Sequence, residues 1–446
     1  MSSTESIQTD AQVLESAYSK AMYRMVPLVF SCYLLFALAR INIGFAKLDM
    51  LTALGMSEQV YGMAAGIFFI GYAFFGVPSN LILARVGARR WICILMLLWG
   101  LCSFALVYVS TPMEFYALRL LTGLVEAGGF PGILLYFTRW FPAERRGRVL
   151  SLFFVAIPLS GVAGGPISGF VLNLFQSAPL GIQAWQWIYI IQGIPALLCS
   201  FLIFHFLKDS VQGVSWLTDR EKVLVQQEIH REEAQKAAPA SSVQRVSPTA
   251  FLRSPVVWYF GICYFCLEMG EFAVSFWAPT IIKGFGFEDS RTIGLLSAIP
   301  FVFAGIVMVF AGKSADRRGE RRWHLVIPLA AGVGGLVVAA SCSHSPFLAM
   351  CGLTLAATGA LTAIPMFWPL PTALLSTSVA AGGLALVNTI GNLAGFFGNA
   401  LIGGVKDATG STDIALFMVA GFVLVSALMI LRIPASRVNT QPRPEV

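Results

Sequence analysis

Residues 119–142 read RLLTGLVEAGGFPGILLYFTRWFP, an apolar run that carries Arg119 and Glu126. The run is apolar enough to sit in lipid, yet it holds a base and an acid. Seven residues apart on a helix, the two side chains share one face about two turns, roughly 10 Å, apart. An ionisable group at membrane depth is costly and usually faces a bundle interior or a water-filled path. Just past the glutamate, Gly128, Gly129, Pro131 and Gly132 loosen the same helix. Broken helices at mid-membrane commonly line substrate sites. A structural ion pair between helices would leave the same pattern.

The rest of the chain has the composition of a polytopic membrane protein. Of 446 residues, 57% are apolar and only 12% are charged, half the roughly 25% of a soluble domain, and the mean hydropathy is +0.75. That leaves no room for a large aqueous domain. Runs of about 20 apolar residues fall near 26–46, 59–82, 92–109, 116–137, 149–172, 188–207, 256–282, 294–312, 325–342, 347–370, 384–404 and 414–431. The expected fold is an all-α membrane protein of twelve transmembrane helices. The tenth run is interrupted by Pro365, Pro369 and Pro371.

Charge sets the expected orientation. Placing the N-terminus in the cytoplasm puts 24 of the 30 Lys and Arg residues in inside segments, and only Lys47, Lys283, Arg291 and Lys406 in outside loops. This positive-inside bias predicts that both termini are cytoplasmic. The net charge of +7 is then a topological signal, and no nucleic-acid partner is expected. Residues 1–24 form a polar tail without the apolar core of a cleavable signal peptide. All eight cysteines fall within or at the ends of apolar runs, and Cys263 and Cys266 lie in an apolar helix without neighbouring histidines. Buried packing is expected of them, with no disulfide and no metal.

The longest polar segment, residues 208–253, divides the chain into six runs and six. Within it, Thr218 and Glu221 form a capping box opening a charged helix through about Glu233, and residues 236–248 are linker-like. The expected parts are a cytoplasmic tail at 1–24, a six-helix bundle at 25–207, the cytoplasmic linker at 208–253, a second bundle at 254–432 and a C-terminal tail at 433–446. The halves repeat: GVPSNLILARVGARRW at 76–91 follows the second run and GKSADRRGERRW at 312–323 follows the eighth. Both end in Gly-x-Arg-Arg-Trp, which argues for duplicated halves related by an axis along the membrane normal, rocking about a central site.

These motifs carry a resemblance. Gly312, Asp316, Arg317, Gly319, Arg321 and Arg322 resemble the signature loop of the major facilitator superfamily; in the first half Arg85, Gly87, Arg89 and Arg90 remain, while no acidic residue does. The degenerate form, Val77 to Asn80, Arg119 to Gly123, Glu126 to Gly128 and Trp140 to Pro142 are similar to the anion:cation symporter family. So are Arg40 to Ala46, Phe276 to Pro279, Phe367-Trp368 and Asn388 to Asn392. The resemblance implies proton-driven import of a small organic acid, as in bacterial permeases for tartrate, rhamnonate, galactonate and 4-hydroxyphenylacetate. It implies a multi-pass protein of the bacterial inner membrane, with lipid and an organic acid as its partners and no cofactor but the coupling proton. A monomer is expected.

By that resemblance Arg40 corresponds to the substrate-carboxylate arginine, Tyr72 and Asn388 to polar cavity groups, Trp368 to a cavity aromatic and Glu126 to the proton-carrying acid. Asn42 and Tyr264 complete the candidate substrate-binding set. Asp316, Arg317, Gly319, Arg321, Arg89 and Arg90 are the candidate gating loops. One position departs from the family: the aspartate that usually precedes the first-span arginine is Ala39.

Residue chemistry leads independently to Arg40 and Glu126. A guanidinium in an apolar helix stays charged and presents a planar fork, so it pairs with a buried acid or awaits an anionic ligand. Desolvation and a nearby arginine act oppositely on a carboxyl, so rearrangement can move its titration across physiological pH. With Arg119, Glu126 is the candidate for proton coupling. Glu268 and Glu271, one turn apart in the seventh run, are further candidates. Either one is protonated or partly in water at the outer end, or the pair replaces the acid lost at Ala39, or the substrate carries a positive group. A carrier for a zwitterionic or cationic molecule, and a non-transporting sensor of the same fold, remain as alternatives. An enzyme is not expected, because the four histidines lie at span ends or in loops.

Overall fold

Polar side chains start several of the crossing helices by capping them. Ser57 Oγ accepts the Val60 N–H at the start of α2 (Glu58–Val86). Thr111 and Glu114 form a reciprocal capping box ahead of α4 (Pro112–Glu126). Asp289 accepts the Thr292 N–H at the start of α10 (Ser290–Arg318). Each satisfies amide hydrogens that the first helical turn leaves without partners.

The computed structural model describes residues 2–237 and 250–439. The remaining helices are α1 (Ser2–Leu54), α3 (Ala88–Leu106), α5 (Gly129–Thr138), α6 (Ala143–Leu174), α7 (Ala184–Phe206), α8 (Asp219–Ala237), α9 (Pro255–Gly284), α11 (Arg322–Ser341), α12 (Pro346–Phe367), α13 (Pro369–Leu374), α14 (Thr377–Thr409), α15 (Asp413–Leu431) and α16 (Ala435–Val438). Among the described residues, twelve crossings are long and apolar enough to span a membrane; α4 with α5 forms the fourth and α12 with α13 the tenth. Both two-piece crossings break where expected, at Ala127 and Gly128 and at Trp368 before Pro369. Most helices outrun their apolar stretches, because the backbone ladder continues into polar sequence once it is nucleated.

The polar residues after Asp10 continue α1 as a helix and dock on α8. Ser16 Oγ and Lys20 Nζ donate to Glu221 Oε1 at 3.1 and 2.7 Å. Arg220 pairs with Asp10, and Arg145 at the start of α6 pairs with Glu15. The capping box at Thr218 and Glu221 forms as its spacing predicts. Most of the linker-like stretch at 236–248 lies outside the described residues.

The two halves meet along α2 with α14, α6 with α10 and α1 with α9. Their close approach is made by small residues, as expected where lipid gives helices no hydrophobic drive to associate. A Cβ on Gly165 would lie 2.7 Å from the Gly294 carbonyl oxygen, and one on Gly294 would lie 2.5 Å from that of Gly165. Gly403 likewise packs on the Glu58 carbonyl. These contacts sit at the end remote from the chain termini. At the other end of α2, Phe74, Val77 and Leu81 are exposed.

Candidate substrate and coupling site

Between the halves lies a cavity of about 420 Å³. From the first half come Arg40 on α1, Tyr72 on α2 and Glu126 at the last turn of α4; from the second come Tyr264, Glu268 and Glu271 on α9, Trp368 at the α12 break, and Asn388 on α14. The break after Glu126 ends the helix with that carboxylate in the cavity wall. Eight of the residues singled out from the sequence are thus brought together.

Arg40 and Glu126 form an ion pair across 86 residues of sequence. Arg40 Nε and Nη2 both donate to Glu126 Oε1, at 3.0 and 2.7 Å. Glu126 is buried, whereas the Arg40 side chain keeps 32% of its surface exposed. The guanidinium lies 5.6 and 5.5 Å from the ring centroids of Phe68 and Tyr72, so aromatic faces offset part of its desolvation.

One expectation needs correction. Asn42 lies outside the cavity: its amide donates to Gln192 Oε1 at 3.1 Å and accepts from Ser168 Oγ at 2.9 Å. It joins α1 to α6 and α7. Arg119, on the same helix as Glu126, makes no ion pair with it. It is buried behind it, 4.7 Å over the Phe68 ring, with Nε directed at the Ala64 carbonyl and Nη2 without a partner. A separate space of about 10 Å³ lies between Arg119, Glu126, Trp99 and Gln192. The glutamates of α9 sit at mid-helix in the cavity, so placement at an outer, wet end is excluded. Glu268 is buried; Glu271 Oε1 accepts from Ser275 Oγ at 2.6 Å, and Oε2 is buried without a donor.

The two basic turns each place a positive-φ glycine at the matching position but differ in backbone shape, with ψ of 152° at Gly87 and 8° at Gly319. Gly87 and Gly319 both take positive φ, +89° and +63°, between successive helices, a conformation that favours glycine. Asp316 accepts from Arg321 at 3.4 Å, the Arg321 N–H donates to Asn439, and Glu320 caps α11 through the Trp323 and His324 amides. The Arg89 N–H donates to Asp209, and its guanidinium to the Phe204 carbonyl. Arg90 is exposed, and Arg317 takes part in interactions of its own. The repeated tryptophans differ: Trp91 is buried on Ser79 and Trp323 is 46% exposed.

A cluster at the closed end was not legible in the sequence. Lys47, which charge counting places in an outside loop, is buried in α1. Its Nζ lies 3.6 and 4.3 Å from the Trp277 and Tyr61 ring centroids and donates to Glu58 Oε2 at 2.6 Å. Asp407 of α14 accepts the Glu58 and Gln59 amides at the start of α2. The one available signal is spacing: Lys47 follows Arg40 by seven residues, on the same face of α1.

The sequence matches the model of the Major Facilitator Superfamily over residues 29–399. The chain belongs to the major facilitator superfamily. It is 39% identical over 427 residues to the metabolite transport protein NicT of Pseudomonas putida, covering 95% of this chain and 96% of that one. A protein of Agrobacterium vitis named as a tartrate transporter is 41% identical over 412 residues, 92% of this chain and 90% of that one. The fold matches the inward open xylose transporter XylE from E. coli with a TM-score of 0.75 at 16% identity, covering 93% of this chain and 96% of that one. This superfamily member is a multi-pass membrane transporter and not an enzyme.

Proposed function

We propose that the protein is a proton-coupled symporter that imports a small organic acid across the bacterial inner membrane, with both termini cytoplasmic. The observation that carries this reading is the Arg40 to Glu126 ion pair in the cavity wall. Ionised, Glu126 holds the guanidinium. Protonated, it loses the charge that holds Arg40, and the fork is free for a substrate carboxylate. Substrate and proton then load together, because each makes room for the other. Contacts between halves at the remote end, with Phe74, Val77 and Leu81 exposed at the other, fit a carrier open toward the cytoplasm. The resemblance to anion:cation symporters and the relative named for tartrate support an organic acid.

The test is uptake of labelled organic acids into proteoliposomes under an imposed pH gradient, acid outside. Accumulation that collapses with a protonophore is expected. Accumulation indifferent to the gradient would remove proton coupling.

A further inference from the structure

We propose that Glu268 and Glu271 form a cation subsite across the cavity from Arg40, so that the transported acid carries a positively charged nitrogen. This rests on the reading of Arg40 as the carboxylate clamp. It names the substrate as a zwitterion: a carboxylate at one end, an ammonium, quaternary nitrogen or pyridinium at the other.

Charge is the first argument. The described cavity wall holds one guanidinium, Arg40, and three carboxyl groups, Glu126, Glu268 and Glu271. Arg40 is matched by Glu126, and no lysine or arginine among the described residues forms an ion pair with either glutamate of α9. With no cation paired to them, these two carboxyl groups are costly to ionise at membrane depth, and a cationic ligand would offset that cost. A simple anion entering the cavity would meet them and add a further negative charge. A zwitterion presents its anion to Arg40 and its cation to the pair.

Orientation is the second. Glu268 is only 6% exposed, with the Tyr264 phenol a turn earlier on the same helix. Glu271 commits Oε1 to Ser275 and leaves Oε2 without a donor. The structure thus holds acceptor capacity that protein groups do not fill, in a wall that faces the cavity.

The surroundings are the third. Tyr264 and Trp368 meet edge to face at 5.0 Å between centroids beside the pair, and Phe272 lines the cavity on the next turn of α9. Carboxylates set among aromatic faces suit an alkylated or delocalised cation, which gains from ring quadrupoles as well as from charge. A carboxylic acid with an uncharged apolar tail gains only burial there.

The test uses the full chain in lipid nanodiscs and matched acids that differ only in nitrogen for carbon. One pair is 4-(trimethylammonio)butyrate and 5,5-dimethylhexanoate; another is 4-(trimethylammoniomethyl)benzoate and 4-neopentylbenzoate. Apparent affinities are read from ligand-induced shifts in melting temperature. The zwitterionic member of at least one pair is expected to bind about tenfold tighter or more than its anionic carbon analogue. That preference should vanish in Glu268→Gln/Glu271→Gln, whose side chains keep size and hydrogen bonding but lose charge. Carbon analogues that lack the positive nitrogen binding as well as the zwitterions in the wild-type protein would overturn the cation subsite and leave the proposed function standing. If no acid binds, the carboxylate reading of Arg40 fails and the subsite falls with it.

Discussion

Lys406 Nζ donates to Glu58 Oε1 at 2.6 Å, an ion pair that joins the second half of the molecule to the first at its closed end. Lys47 donates to the other Glu58 oxygen, so one carboxylate bridges two ammonium groups. In a rocking carrier this contact exists only while that end is shut, and it stabilises that state selectively.

Lys406→Ala should therefore shift the population toward the state open at that end. The Lys406 side chain is 22% exposed, so the pair contributes about 1 kcal/mol, or a population change of about fivefold. Double electron–electron resonance between spin labels at Ser57 and Thr409 would show a longer-distance component growing in the variant. An unchanged distribution would make the pair incidental.

The close approach of α6 and α10 predicts that Gly165→Ala is destabilising, because the new methyl would lie 2.7 Å from the Gly294 carbonyl oxygen. A loss of about 1–3 kcal/mol is expected for such overpacking. Gly404→Ala is the control: nothing lies within 4 Å of the added carbon, and exchanging glycine for alanine inside a helix contributes about 0.5–1 kcal/mol of stability. Melting temperatures in detergent should move in opposite directions.

The charged helix α8 gives a pH dependence. Burial would raise the Glu221 carboxyl, but the Lys20 ammonium, the Thr218 N–H and the Ser16 hydroxyl outweigh it and hold its pKa below the usual value. A depressed folded-state pKa means stability that is present above the unfolded value, near 4.3, and lost as pH falls through the lower folded one. Docking of α8 on α1 should weaken below about pH 4. Melting curves of wild type and Glu221→Gln should differ at pH 7 and converge at the acid end; parallel curves throughout would refute the contribution.

The residues legible in sequence are those whose chemistry conflicts with their surroundings. Arg40, Glu126, Glu268 and Glu271 stand out because charge inside an apolar run demands a reason. What the sequence does not carry is the partner. Spacing pairs Glu126 with Arg119 on its own helix, whereas the structure pairs it with Arg40, 86 residues away. Asn42 gives the same signal whether it faces a cavity or bonds to Gln192 and Ser168 across a helix interface. Lys47 sits near the end of an apolar run and so counts as a loop residue, although Trp277 and Tyr61 bury it. Helix positions follow from local pattern, but these pairings depend on how distant helices pack.

Arg40→Lys should lose most of its affinity for a carboxylate ligand, about tenfold or more, despite keeping the charge. The guanidinium uses two nitrogens on Glu126, and a lysine ammonium cannot reproduce that planar fork. Ligand-induced thermal shifts for the two proteins would decide it. Equal affinity would rule out the clamp.

The most direct test of proton coupling is pH-gradient-driven accumulation measured beside counterflow for Glu126→Gln in proteoliposomes. Glutamine matches the protonated acid in size and hydrogen bonding but has no proton to release. The loaded carrier can still reorient, while the empty return that follows proton release stalls. Counterflow should persist and uphill accumulation should be lost. Accumulation retained by Glu126→Gln but lost by Glu268→Gln/Glu271→Gln would place the coupling proton on α9 and contradict the assignment to Glu126.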